Sequence, residues 1–171
     1  KANAARIIFP KRAGLGPSRH AADHPRHLRS PPVPTTTELR VRYSETDKMG
    51  VVYYANYLVW CEVSRTESIR QHGESYAEWE EQGVALAVSD ARIRYHRSAR
   101  YDDLVRIDTY LTAVQSRSVT YEYRMTLAAS GELLVTAATS LIAIAPNGRP
   151  IRLPEAIRAR LMAMLEAPPK R

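Results

Sequence analysis

One carboxylate in this chain stands where it could do chemistry. Asp47 lies within residues 43–57, YSETDKMGVVYYANY, at the head of an Asp-x-x-Gly tetrad. That tetrad suits a type I turn, with Asp first and Gly fourth. The amphipathic run behind it reads as a helix, and a turn feeding a helix leaves backbone N–H groups free close to the carboxylate. A carboxylate can attack an activated carbonyl or draw a proton from water. An N–H aimed at the developing oxyanion is worth about 3–4 kcal/mol. Together they are the minimum equipment for parting an acyl group from its carrier. The N–H of Tyr54, seven residues on, is the leading donor, and Gly50 lets the backbone come close to a ligand. The same spacing also fits a plain surface turn.

The elements around this segment must hold the two groups face to face. Residues 36–43 alternate Leu39, Val41 and Tyr43 with Arg40 and Arg42, a short strand with one wet face. A helix is predicted over about 54–72, with Tyr54, Tyr57, Leu58, Cys61, Ser68 and Ile69 near one face and Gly73 closing it. A shorter helix over 75–82 opens on Ser75 and Glu78, the spacing of a capping box. Beyond Gly83 the period drops to two, and strands are predicted over 84–95, 104–114, 119–127 and 133–145. Pro154, followed by Ile157, Leu161, Met164 and Leu165, marks a closing helix. Short connections make successive strands antiparallel neighbours, and a lone long helix must bury itself on the sheet. The expected fold is α+β: a five-stranded antiparallel sheet wrapped around a long central helix.

Composition bounds the rest. The 171 residues suit one domain, 44% hydrophobic and 25% charged. The formal charge of +7 is unevenly spread, because residues 1–34 hold seven of the 25 Lys and Arg against Asp23 alone. The remainder is nearly neutral, which argues against nucleic acid as a partner of the folded body. Residues 1–34 also carry six of the 11 prolines and no hydrophobic period, so a disordered basic tail is expected there and the folded domain over 35–168. The tail partly resembles a transit peptide. Its His20, His24 and His27 lack the partners of a metal site, and no metal or organic cofactor is expected. A single cysteine, Cys61, with no long apolar run, suggests a cytoplasmic chain without a membrane span.

Residues 43–57, followed by Trp60, Glu62 and Arg65, resemble the signature of the hot-dog acyl-CoA thioesterases. The similarity is to the 4-hydroxybenzoyl-CoA thioesterase and Tol–Pal-associated branches, and it runs in order over about 36–165 through residues 95–103 and 148–155. The resemblance implies the hot-dog fold and hydrolysis of acyl-CoA thioesters, with Asp47 as nucleophile or general base. It also implies that the Tyr54 N–H polarises the thioester carbonyl. The Tol–Pal-associated branch commonly has His where this chain has Tyr54, so a role for imidazole does not carry over; tyrosine is a far weaker base near neutral pH. Gly50, Val52, Tyr53 and Asn56 are the substrate-binding candidates beside Asp47, and the Tyr54 side chain could line the acyl pocket.

Other candidates have plainer readings beside them. Arg97 and Arg100, in the basic stretch 92–100, could meet the phosphates of coenzyme A or simply be a solvated strand end. Glu62 and Arg65 could pair across one helical turn, with Glu62 in reserve as a base. Cys61 reads as a small core residue. Val84, Leu86 and Val88 are candidates for shaping the pocket. A sheet with open edges predicts a homodimer joined edge to edge, or a tetramer of two dimers. The competing class is a non-catalytic module that binds acyl-CoA or acyl carrier protein. A hot-dog dehydratase would need a helix histidine, and His72 lies at the wrong end.

Overall fold

A computed structural model describes residues 33–166. The tail expected over 1–34, with its three histidines, lies outside the described residues apart from Val33 and Pro34. β1 (Thr35–Arg40) leads through a 3-10 turn (Tyr43–Glu45) to α1 (Asn56–Gln71) and α2 (Tyr76–Glu81). Four strands follow, β2 (Ala85–Tyr95), β3 (Leu104–Val114), β4 (Ser118–Leu127) and β5 (Leu133–Ile144), and then α3 (Glu155–Glu166). The strands make one antiparallel sheet in the order β1-β3-β4-β5-β2. β3, β4 and β5 are successive hairpins, while β1 and β2, which the helices separate in sequence, take the two edges. This is the expected α+β hot-dog architecture.

Alternation explains the inner face. On β4, Val119, Tyr121, Tyr123 and Met125 are buried, whereas Glu122 and Arg124 are exposed. Their register partners Ile107 and Val135 (both opposite Met125) and Ala137 (opposite Tyr123) continue the buried rows. Each apolar side chain of the size of Ile107 or Met125 stabilises the fold by roughly 1.5–3 kcal/mol when fully buried. α1 turns Tyr57, Trp60, Cys61, Ser64, Ser68 and Ile69 into the core, a spacing of three, one, three, four and one that keeps a single helical face. It packs against β1 and β3.

The structure corrects two expectations here. α1 begins at Asn56, not near Tyr54, so the stripe is phased by Tyr57 and Trp60; Tyr54 and Leu58 are exposed, and Trp60 and Ser64 take the buried places. β1 stops at Arg40 rather than continuing to residue 43, because the Arg42 N–H donates to the Glu45 carboxylate at 2.7 Å and draws the chain into the 3-10 turn. The second helix carries the capping box read from sequence: the Ala77 N–H donates to Ser75 Oγ and the Ser75 N–H to Glu78 Oε2. Among the described residues no helix is long and apolar enough to cross a membrane.

Candidate active site

The segment carrying Asp47 is a miniature hairpin. The Asp47 N–H donates to Val51 O and the Gly50 N–H to Asp47 O, both at 2.9 Å, and Thr46 bridges Val52. Gly50 has φ +73°, which closes the turn, and a Cβ there would meet nothing within 4 Å. The Asp47 carboxylate accepts the Met49 N–H on Oδ1 at 2.8 Å, an Asx turn that orients the carboxyl group. No described residue donates to Oδ2. Asp47 is half-buried.

The open end of the hairpin is anchored by Glu45, the one buried charged side chain among the described residues. Its carboxylate accepts from the Arg42 N–H, from Arg42 Nη2 at 3.0 Å and from Trp60 Nε1 at 3.0 Å. Burial pushes its carboxyl pKa up, but the Arg42 N–H, the Arg42 guanidinium and the Trp60 N–H outweigh burial and hold it below its ordinary value. The Glu45 carbonyl accepts the Tyr53 N–H at 2.9 Å and Asn56 Nδ2 at 2.8 Å. A second wall comes from the β2–β3 connection: the Val52 N–H donates to Ala99 O, and the Ala99 N–H to the Tyr57 hydroxyl, both at 2.9 Å.

Between hairpin and connection lies a cavity of about 230 Å³, lined by Asp47, Val52, Tyr54, Tyr57, Tyr95 and Arg97 among others. Tyr95 donates from its hydroxyl to Tyr54 O at 3.1 Å, and its ring meets that of Tyr57 edge-on at 5.7 Å. Tyr54 precedes α1 by two residues, and its own N–H meets no acceptor among the described residues. α1 has no capping side chain at its start, since Ala55 holds that place. The cavity is therefore lined by the residue that carries the carboxylate and by the residue whose backbone N–H is unused. Another hollow of about 280 Å³, on the outer sheet face between Arg92, Arg94 and Glu122, contains neither group.

The family model of the Thioesterase-like superfamily matches residues 41–161, most of the chain. The chain belongs to that superfamily. YneP of Bacillus subtilis (strain 168) is 39% identical over 107 residues, 63% of this chain and 77% of that protein. The acyl-CoA thioester hydrolase YbgC of Escherichia coli O157:H7 is 34% identical over 122 residues, 71% of this chain and 90% of that protein. Among solved structures, the DHNA-CoA thioesterase from Staphylococcus aureus superposes with a TM-score of 0.72 at 35% identity, covering 76% of this chain and 89% of that one.

Within this thioesterase-like domain the expected site residues divide. Asp47, Val52, Tyr54 and Arg97 line one cavity, with Gly50 shaping the turn beside it. Asn56 is spent on Glu45 O, and Tyr53 lies outside the lining with its ring against that of Tyr54 at 4.5 Å. Arg100 is also outside; its N–H donates to Asp103 Oδ2 in the turn that leads into β3. Arg97 faces Glu132 at 3.1 Å. Glu62 and Arg65 do not pair: Glu62 accepts from Thr66 Oγ1, and Arg65 donates to the Tyr123 hydroxyl. Val84 and Leu86 are core residues, Val88 is exposed, and none lines the cavity. Cys61 is buried, with its thiol pKa pushed up to about 12 by burial, as befits a core residue. Among the described residues no group of three or more His, Cys, Asp or Glu is placed to hold a metal ion.

Sequence reasoning missed Glu45, Tyr57 and Tyr95. Glu45 was masked by its strand-like neighbours, although a carboxylate two residues before Asp47 and an indole on the following helix are both visible in the motif. Tyr95, the last residue of β2, reads as a strand end until the register shows it opposite buried Val135 and so on the α1 side of the sheet.

Proposed function

We propose that this chain hydrolyses acyl-CoA thioesters to the free acid and coenzyme A. The observation that carries the reading is that Asp47 and Tyr54, whose N–H is unclaimed, line one cavity. The thioester carbonyl oxygen accepts the Tyr54 N–H at the start of α1, where the helix dipole also favours the negative charge that develops. Asp47 then acts in one of two ways. Attack by its free Oδ2 expels the thiolate and leaves a mixed anhydride, which water opens; alternatively it takes a proton from a water that attacks the carbonyl. Tyr54, Tyr57 and Tyr95 supply an aromatic wall for the acyl group, and Arg97 stands at the rim for the anionic carrier. The relatives named as hydrolases or thioesterases of CoA esters support this substrate class.

Thiol release followed with a chromogenic disulfide, across short, long and aromatic acyl-CoAs, tests the reading directly. Turnover with Asp47→Asn is expected to fall roughly 10²–10⁴-fold, the contribution of a positioned acid–base group. Near wild-type turnover in that variant removes Asp47 from both routes. A single turnover in ¹⁸O-water separates them, because attack by Asp47 puts label in its own carboxylate. Acyl-CoA binding with no thiol release would make the chain a binding module instead.

The assembly belongs to the same proposal. β2 ends the sheet with a free edge, and its residues 88–92 are exposed. A second copy along that edge would pair unmet backbone groups and close the sheet. Light scattering at micromolar concentration should give a dimer or a tetramer, and a monomer there would refute it.

A further inference from the structure

We propose that Glu45 is a positioning residue, fixing Asp47 and Tyr54, which line one cavity, relative to each other; this rests on the hydrolytic reading of the Asp47 carboxylate and the Tyr54 N–H. The geometry is unusual in its economy. Glu45 stands two residues before Asp47 along the chain, and its carbonyl holds the N–H of Tyr53, the residue immediately before Tyr54. Both chemical groups are thus a residue or two from the same peptide unit. The Asn56 amide, donating to the same carbonyl, adds the first residue of α1 to the clamp.

The side chain anchors this unit to the rest of the molecule. Trp60 is fully packed in the core, one turn into α1, and its Nε1 donates to Glu45 Oε1. The other oxygen takes the Arg42 N–H, and the Arg42 guanidinium closes over Oε1. A buried ion-paired carboxylate is a poor way to gain stability, because an apolar side chain of similar volume does as well or better. What it supplies is direction: three donors from two elements fix where the peptide after it begins. Thr46 and Val52 then pair, which closes the hairpin. Displacing a catalytic group by about 1 Å can cost roughly 100-fold in rate, so fixing the root of the hairpin has a kinetic consequence that its modest exposure would not suggest.

Glu45→Gln keeps the volume but aims an NH₂ group at donors, and Trp60→Phe removes the indole N–H while keeping an aromatic ring in the core. With each enzyme preparation normalised by circular dichroism and a cooperative thermal melt, Glu45→Gln is expected to lower kcat roughly tenfold or more with KM changed less than about twofold. Trp60→Phe should lower kcat less, roughly threefold, and the double variant should lose less than the product of the two single losses, since Glu45 and Trp60 share one hydrogen bond. A merely structural Glu45 predicts lower stability with kcat per folded molecule unchanged, and that result overturns the proposal. Should Glu45→Gln not fold, Trp60→Phe decides alone by the same criterion. The two readings fail separately. A wild-type protein without thioester hydrolysis, or an Asp47→Asn variant at full rate, sinks the hydrolytic reading. A wild-type and Asp47→Asn pair behaving as proposed beside an undiminished Glu45→Gln sinks this one.

Discussion

Two helices in this chain begin in opposite ways. α2 starts on Ser75, whose hydroxyl accepts the Ala77 N–H while Glu78 reaches back to the Ser75 N–H. α1, much the longer, starts on Ala55, with no side-chain cap and no acidic residue in its first turn. A side-chain cap is typically worth about 1 kcal/mol, so its absence at the longer helix is a stability forgone. Tyr54, whose N–H is left open just before α1, lines the Asp47 cavity, whereas no residue of α2 does. α2 is closed by its own side chains, and α1 is not. Asp47 lines the same cavity from a hairpin with its own anchor.

The contrast can be broken by giving α1 what α2 has. Ala55→Asp places a negative charge at the start of α1, where the helix dipole favours it by roughly 0.3–1 kcal/mol. The same charge opposes an oxyanion forming on the neighbouring Tyr54 N–H. Two charges about 4 Å apart near a protein surface interact by about 4 kcal/mol, less when hydrated. The expected outcome is a thermal midpoint unchanged or higher, together with a kcat at least roughly tenfold lower. Steady-state kinetics and a melt on one sample check both signs, and a variant that is stable and fully active would mean the α1 start does not meet the oxyanion.

The next effect is on stability against acid, and it concerns the carboxylate that anchors the hairpin before α1. The Glu45 carboxyl in the fold sits below its ordinary value of 4.5. Its contribution to stability is therefore complete above that value and is lost as the pH falls through the lowered folded pKa. Urea unfolding should show stability steady from about pH 7 to 5 and declining below the ordinary carboxyl range, with a shallower decline in Glu45→Gln. An identical acid profile in that variant would mean Glu45 carries no such linkage.

How far this was legible in the sequence depended on the physics behind each feature. Strands β2 to β5, β4 above all, could be read because burial on one face forces a period of two, and their ends moved by no more than a residue, whereas β1 lost its last three to the Glu45 turn. The capping box of α2 could be read because Ser75 and Glu78 interact within one turn. Asp47 and Gly50 were legible for the same reason: a turn is local. The start of α1 was not, because Tyr54 and Ala55 have no intrinsic objection to helix. They are kept out of it by Glu45, whose carbonyl takes the Tyr53 N–H from eight residues away and the Asn56 amide from eleven. The placement of Arg100 was hidden for a related reason. In sequence it belongs to a basic run, and in the fold its backbone closes the turn with Asp103 while its neighbour Arg97 reaches the cavity.

The smallest effect tests the other half of the contrast. Ser75→Ala removes the Oγ acceptor of the Ala77 N–H, while the backbone N–H at position 75 still donates to Glu78. α2 has only six residues, so the loss of one cap affects the whole helix rather than fraying one end. Stability should fall by about 1 kcal/mol. The fall is bounded because Trp79 remains buried and donates to Glu74 at 2.6 Å, and Glu74 is held by Arg160 of α3, so the helix keeps its place when its cap is gone. With α2 away from the Asp47 cavity, kcat and KM for an acyl-CoA should stay within roughly twofold of wild type. The pair of measurements matters more than either alone. A cap that costs stability without touching rate at α2, set against a charge that costs rate without touching stability at α1, separates the two uses of a helix start within one chain. A fall in kcat from Ser75→Ala would instead couple α2 to the cavity, through the Tyr76 hydroxyl that accepts the Leu86 N–H at the start of β2.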